Sequence, residues 1–224
     1  MIKTYSEFFK HYKNQKMRWR FWLRILSKYK NKGKLLDLGC AFGYFLQFAE
    51  KYYLSVGLEK FLPAALKAKR ISDTNVVCAD ASNLPFKSKQ FDFVTLFDIL
   101  EHLSDPSACI KESNTKLING GILVISVPNM NSLGKKLKSE KWFGYRDKTH
   151  ISLLAPKKWQ SMLKREGFKI LRVFSDGFWD IPYFPFSKSL QKVFFIPGVL
   201  QNILGLPLIP PVGENLCIIA KKKN

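Results

Sequence analysis

The run Asp37-Leu38-Gly39-Cys40-Ala41-Phe42-Gly43 places a carboxylate and two glycines where a short apolar segment gives way to a helical pattern. Such a loop can hold a polar ligand against backbone N–H groups. Gly39 permits a sharp turn, and Gly43 permits the following helix to start close to the ligand. A dinucleotide site would instead need the G-x-G-x-x-G frame that seats a pyrophosphate on a helix N-terminus. Here that frame puts Ala41 and Tyr44 at the second and third glycines. Asp37 beside the loop would also repel phosphate, whereas it can meet an ammonium. Two further acids end later apolar runs. Glu59 is placed to accept hydrogen bonds from a ribose diol, and Asp80, followed by Ala81, to meet an adenine edge. Phe61 and Leu84 can supply apolar walls. One acid at a strand end is often just a turn former; three at successive strand ends beside this loop are a pattern.

Two other groups can do chemistry. Asp98-Ile99-Leu100-Glu101-His102 spaces two carboxylates and an imidazole over about one helical turn, an oxygen-rich set with one nitrogen that suits Mg²⁺ or Mn²⁺. The competing reading has Glu101 and His102 capping a helix and shaping a pocket, and it takes precedence over the metal. His150, closing the segment Trp142-Phe143-Gly144-Tyr145-Arg146-Asp147-Lys148-Thr149-His150, is placed to deprotonate a hydroxyl, since imidazole titrates near neutrality. It can equally cap the helix beginning near Pro156 or satisfy a loop carbonyl. Arg146 can meet an anionic acceptor.

The elements that must position these residues follow from hydrophobic period. Lys34–Gly39, Leu54–Glu59, Asn75–Ala79, Phe91–Phe97 and Gly121–Val127 read as buried strands. Between them, Tyr44–Tyr53, Pro63–Arg70 and Pro106–Leu117 read as helices. This alternation predicts right-handed crossovers and an α/β, doubly wound, Rossmann-like sheet with its ligand at the strand carboxyl ends. Pro156–Glu166 is a further helix, while Phe168–Phe174 and Glu214–Ala220 are late strands that add antiparallel structure, giving seven strands, mostly parallel. Tyr5, Phe8, Phe9 and Tyr12, then Trp19, Trp22, Leu23 and Leu26, recur at helical spacing, with Arg18, Arg20, Arg24 and Lys28 on the other face. The expected organisation is one domain over 1–224: a helical cap (1–33), a cofactor-binding core (34–175), an apolar insertion (176–213) and a last strand with a basic tail (214–224).

The segments LLDLGCAFGYFL, VGLEKF, CADASNLPF, FDFVTLFDILEHL and GGILVISVPN together resemble the successive motifs of class I S-adenosylmethionine-dependent methyltransferases. The nearer resemblance is to ubiquinone-biosynthesis-type O-methyltransferases and related glycan- or lipid-modifying enzymes. It covers about residues 34–175 and the last strand. It implies S-adenosylmethionine as cofactor, with Asp37, Gly39 and Gly43 holding the methionine part, Glu59 the ribose, and Asp80 with Ala81 the adenine. Cys40, Ala41, Lys60 and Phe97 complete the implied cofactor contacts, and His150 and His102 are the implied catalytic candidates. Some relatives with an acid-x-x-Glu-His stretch hold a divalent metal there, which makes Asp98, Glu101 and His102 the candidate ligands. The departures are Ala41, where many members carry glycine, and the basic N-terminal cap.

Composition bounds the partners. The 224-residue chain carries 37 Lys and Arg against 17 Asp and Glu, a formal charge of +20. Residues 3–34 hold eleven cations against Glu7, and residues 135–172 hold twelve against Glu140, Asp147 and Glu166. This favours an anionic partner, such as an acidic membrane surface, a phosphate-bearing acceptor or RNA; a merely solvated lysine-rich surface is the plain alternative. Cys40, Cys78, Cys109 and Cys217 have neither disulfide nor metal spacing, so a reduced cytoplasmic setting is expected. The first twenty residues lack the apolar core of a signal peptide. Residues 193–213 are uncharged but interrupted by Pro197, Pro207, Pro210 and Pro211, which disfavours a membrane span. They suit a lid, a dimer contact or an element lying in the inner membrane face. The leading expectation is O-methylation of a lipid-linked, polyprenyl, quinone or glycan acceptor. RNA methylation is second, though no RNA-binding module is recognisable, and a non-catalytic cofactor-binding scaffold is third.

Overall fold

The computed structural model of the chain describes residues 15–177 and 211–223. Helix α1 (Lys16–Ser27) precedes β1 (Lys34–Leu38). Then come α2 (Leu46–Ala49), β2 (Leu54–Glu59), α3 (Leu62–Ile71), β3 (Asn75–Cys78) and β4 (Phe91–Phe97). A 3₁₀ turn (Leu100–His102) leads to α4 (Pro106–Lys116) and β5 (Leu117–Pro128). Short helices α5 (Leu133–Lys138) and α6 (Phe143–Arg146) precede α7 (Pro156–Arg165), β6 (Phe168–Ser175) and β7 (Asn215–Lys222).

The seven strands form one sheet in the order β3-β2-β1-β4-β5-β7-β6. Strands β1 to β5 are parallel, and β7 runs antiparallel between β5 and β6. Chain order reverses between β1 and β4, so a crevice opens at their carboxyl ends. This is the doubly wound, Rossmann-like architecture expected from the alternation of periods.

Both sheet faces are covered, which is why the central strands read as continuous apolar runs. Leu36, Leu38, Val94 and Leu96 belong to one core with Cys109 and Ile110 of α4 and Trp159 and Leu163 of α7. The alternate residues Leu35, Phe93 and Phe97 belong to the other, with Trp19, Trp22 and Leu26 of α1 and with Phe45. Helix α1 therefore buries its aromatic face on the sheet, including Phe21 and Ile25, which widen the face expected from spacing. Arg20, Arg24 and Lys28 are exposed as expected, but Arg18 is turned inward.

Two expected elements differ. The helix after the β1 loop is only four residues long, because the chain makes turns from Ala41 through Phe45 before settling into a helix. Strand β5 begins at Leu117, ahead of the Asn119-Gly120-Gly121 turn. Leu117 pairs with Phe91 and Ile122 with Phe93, so the extra residues bulge out, with Gly120 at φ +72°. Tyr5, Phe8, Phe9 and Tyr12, and most of the apolar insertion, lie outside the described residues. Among the described residues no helix is long and apolar enough to cross a membrane.

Trp22 is fully buried against Phe21, Phe97 and Phe174, with centroids 5.4, 4.9 and 5.8 Å away. Trp22→Ala should lower unfolding stability by about 3–5 kcal/mol. The expected signature is a lower urea midpoint with an unchanged slope.

Candidate functional site

The carboxyl end of β1 enters the loop at Gly39 (φ +70°), whose N–H, like that of Cys40, donates to Leu58 O on β2 (2.8 and 3.0 Å). A Cβ on Gly39 would sit 2.6 Å from Ile99 Cδ1, so the loop lies directly against the segment leaving β4. Gly43 (φ +74°) also faces α3 closely. A Cβ there would meet the Ala68 backbone of α3 at 3.1 Å, so the absence of a side chain also permits loop–helix packing. Ala41, at the position where a glycine is usual, sits at φ +46°. The left-handed region costs a residue with a Cβ roughly 1 kcal/mol or more, so the loop holds strain.

Asp37 is buried within β1, directly opposite Thr95 of β4, whose hydroxyl donates to it at 2.6 Å. Burial pushes its carboxyl up to about 7 against the Thr95 hydrogen bond, and the Glu59 charge adds to the rise. Glu59 accepts from Ala41 N (3.0 Å) and Phe61 N (2.9 Å), so it ties the β1 loop to the β2 loop. Asp80 accepts from both the N–H and hydroxyl of Ser82 and pairs with Lys60 at 2.7 Å. The Lys60 contact, helped by the Ser82 donors, holds the Asp80 carboxyl down at about 2. Thus Asp37, Glu59, Lys60 and Asp80 gather at neighbouring strand ends, with Ala81 and Leu84 buried below and Phe61 exposed beside them.

Two residues expected to contact the cofactor point elsewhere. The Phe97 ring is packed among Trp19, Trp22 and Phe45, because alternation turns it into the α1 core. The Cys40 thiol faces β2, where a Cβ on Gly57 would lie 2.8 Å from Sγ. Only the backbone of either can meet a ligand in the crevice.

The expected Asp98-Glu101-His102 set does not assemble. Asp98 takes φ +55° and receives a bidentate pair of bonds from Arg18 (2.7 and 3.0 Å), with Ser126 alongside. A long-range partner on α1 thereby claims the carboxylate. His150 takes its place: one ligand atom each from Glu101, His102 and His150 lie within 4.8 Å of one another. The two imidazole centroids are 4.8 Å apart.

Hydrogen bonding fixes the tautomers in this corner. The Thr149 hydroxyl donates to Asp147 Oδ1 at 2.6 Å, so His102 Nδ1, 2.8 Å from the same oxygen, must be the donor in their contact. His150 Nδ1 donates to Gly144 O at 2.8 Å, the loop-carbonyl role. Both rings then keep a lone pair on Nε2 when neutral. Burial, followed by the neighbouring His150, lowers the His102 pKa. Glu101 is buried, its Oε2 has no hydrogen-bond partner, and burial and then Asp98 raise its pKa well above the usual carboxylate range. Arg18, Thr95 and Ser126 were not legible as site residues, because each acts through pairing between distant segments.

A family model described as a methyltransferase domain matches residues 9–173. The chain belongs to the class I methyltransferases. Its cofactor is S-adenosylmethionine. A relative from Methanocaldococcus jannaschii, the uncharacterized protein MJ1123, is 26% identical over 76% of this chain and 81% of its own length. The ubiquinone biosynthesis O-methyltransferase of Coxiella burnetii is 30% identical over a shorter stretch, 45% of this chain and 46% of that enzyme. The fold is shared with a Thermotoga maritima methyltransferase described as a possible histamine N-methyltransferase. The TM-score is 0.69 at 19% identity, over 100% of this chain and 96% of that one.

For this methyltransferase, Gly39→Ala adds a Cβ to a left-handed backbone and drives it into Ile99. It should cost about 1–3 kcal/mol of stability, read by urea denaturation. Gly39→Ala with Ile99→Ala should recover only the contact part of that loss, since the φ strain remains.

Proposed function

We propose that this methyltransferase transfers its methyl group to the hydroxyl of a quinone-like, polyprenyl, lipid-linked or glycan acceptor. The observation that carries this reading is the pair of Nε2 lone pairs on His102 and His150 beside the crevice. A hydroxyl acceptor benefits from losing its proton as it attacks, and a neutral amine does not need this help. The partial match to the Coxiella O-methyltransferase supports the same acceptor class.

The donor set of the crevice fits S-adenosylmethionine, which supplies an electrophilic methyl group on sulfonium. In this reading the β1 loop, narrowed by Ala41, cradles the methionine part, and Asp37 faces its ammonium. Glu59 accepts from the ribose hydroxyls after giving up one of its loop bonds. Asp80 and Ala81 meet the adenine, with Lys60 keeping Asp80 ionised and oriented. His150 accepts the acceptor proton at Nε2 while Gly144 fixes its ring. His102, with a lone pair on Nε2, offers a second hydrogen-bond acceptor beside it. Instead of the base role, Glu101, His102 and His150 could together hold a divalent cation, because a buried carboxylate oxygen with no partner is costly unless something meets it. Such an ion would polarise a hydroxyl and supply the positive charge that Glu101 lacks.

Two outcomes test this. Because Asp37 holds a proton below about pH 7 in the free protein and must be ionised to face an ammonium, cofactor binding releases a proton in that range. Affinity should fall about tenfold per pH unit below 7 and fall again above about 8, where the ligand's α-amino group loses its proton. Calorimetry in buffers of different ionisation enthalpy should detect that proton, and Asp37→Asn should abolish its release. In methyl-transfer assays on phenolic quinone precursors and lipid extracts, His150→Ala should lower kcat about 100-fold or more. Glu101→Gln should remove any dependence on divalent cations. Products methylated on nitrogen or carbon would sink the hydroxyl reading.

A further inference from the structure

The edge of the sheet opposite the crevice, where the parallel strands begin, is strongly basic. Lys32 precedes β1 and Lys34 opens it, Lys51 precedes β2, Lys89 precedes β4, and Lys221 and Lys223 sit at the end of antiparallel β7. Register places them along one border: Lys34 lies beside Leu54, Phe91 beside Leu117, and Ile122 beside Lys221. Lys32, Lys34 and Lys51 line a shallow depression of about 580 Å³ with Tyr52 and Leu54. Lys69 and Arg70, in the last turn of α3, lead into β3 at the same border.

The two acids of the depression are occupied. Asp92 pairs with Lys30 at 2.6 Å and accepts from the Lys34 N–H at 2.8 Å. Glu50 accepts from the Asp73 N–H and the Thr74 hydroxyl, each at 2.9 Å. Asp73, exposed before β3, offsets one cation. Among the described residues the side chains of Lys32, Lys34, Lys51, Lys89, Lys221 and Lys223 have no partner, and all six are exposed. Burial, and then the charge of Lys89, lowers the pKa of Lys222. Like charges gathered on one edge repel and do not help the fold, whereas they attract an external anion.

What accompanies the lysines identifies that anion. Tyr52 and Leu54 stand among them, 58% and 73% exposed. A nucleic-acid strand needs a row of stacking rings, and Tyr52 is the one exposed ring at this edge among the described residues. An aliphatic and an aromatic side chain beside ammonium groups suit the boundary of a bilayer, where apolar groups enter the headgroup layer and cations meet acidic headgroups. We propose that this edge docks on an anionic membrane surface, with Tyr52 and Leu54 entering the headgroup layer. The crevice lies at the far ends of the same strands. The seven residues of β4 span about 23 Å, so the docked protein keeps the crevice clear of the bilayer. Docking retains the enzyme at the surface, and the acceptor reaches it from the aqueous side.

Flotation of the full chain with vesicles of phosphatidylcholine, alone or mixed with phosphatidylglycerol, tests this. Binding is expected only with phosphatidylglycerol and should weaken as salt is raised. Lys32→Gln/Lys34→Gln/Lys51→Gln should bind about 100-fold more weakly, at roughly fivefold per lysine. Lys136→Gln/Lys141→Gln/Lys157→Gln removes the same charge from segments that follow β5 and should bind as the wild type does. Tyr52→Ser/Leu54→Ser should weaken vesicle binding severalfold without changing its salt dependence. Unchanged urea midpoints verify that each variant folds. Absence of flotation overturns the proposal. Equal loss in both lysine variants also overturns it, because net charge alone would then explain the effect. So does single-stranded RNA that displaces the vesicles and loses its own binding in the Lys32/Lys34/Lys51 variant, which would assign the edge to nucleic acid.

Discussion

A carboxylate buried between two parallel strands must find a donor, and Asp37 finds one in Thr95 because β1 and β4 pair in a register that sets them side by side. That pairing is also the point where strand order reverses, so it fixes where the crevice opens. The rest of the site hangs on this register. Gly39 follows Asp37 by two residues and can turn only because it has no Cβ to meet Ile99. The loop then reaches Glu59, which accepts from Ala41 and Phe61 and so joins loops from two strands. A one-residue slip would send Asp37 into the opposite core and dissolve the arrangement.

Helix α1 contributes in two ways. Its aromatic face supplies much of one core, with Trp19 and Trp22 packed on Phe97. Through Arg18 it also neutralises Asp98 at the end of β4. An ion pair this sheltered stabilises only when its geometry is good and its remaining donors are satisfied. Here Gln15 and Ser126 take part in the same network. The consequence falls on the neighbouring corner, where removal of Asp98 leaves Glu101 beside two imidazoles.

The polar groups of the site divide into two sets with different electrostatics. Asp80 is partly exposed, paired and strongly acidic, so it stays ionised across the physiological range. Asp37 and Glu101 are buried, and burial makes their ionised forms costly unless a positive group arrives. Sites whose carboxylates are held in this way respond to a cationic ligand by giving up a proton, which couples binding to pH.

Much of this protein was legible in its sequence. Alternating periods fixed the order of strands and helices, since a buried parallel strand and an amphipathic helix impose different spacings on apolar residues. The Asp37–Gly43 loop and the acids Glu59 and Asp80 stood out because they end successive apolar runs, and in this fold strand ends share one edge. Local pattern is silent about what distant segments do to each other. The sequence spaced Asp98, Glu101 and His102 as if they shared a turn, yet only tertiary packing brought Arg18 to Asp98 and His150 to Glu101. Likewise Phe97 and Cys40 lie beside the motif in sequence, but the pleat and the close approach of Gly57 turn their side chains into the core. Residue type and spacing determined the kind of chemistry available; long-range packing decided which of those groups meet, because partners many residues apart leave no periodic trace.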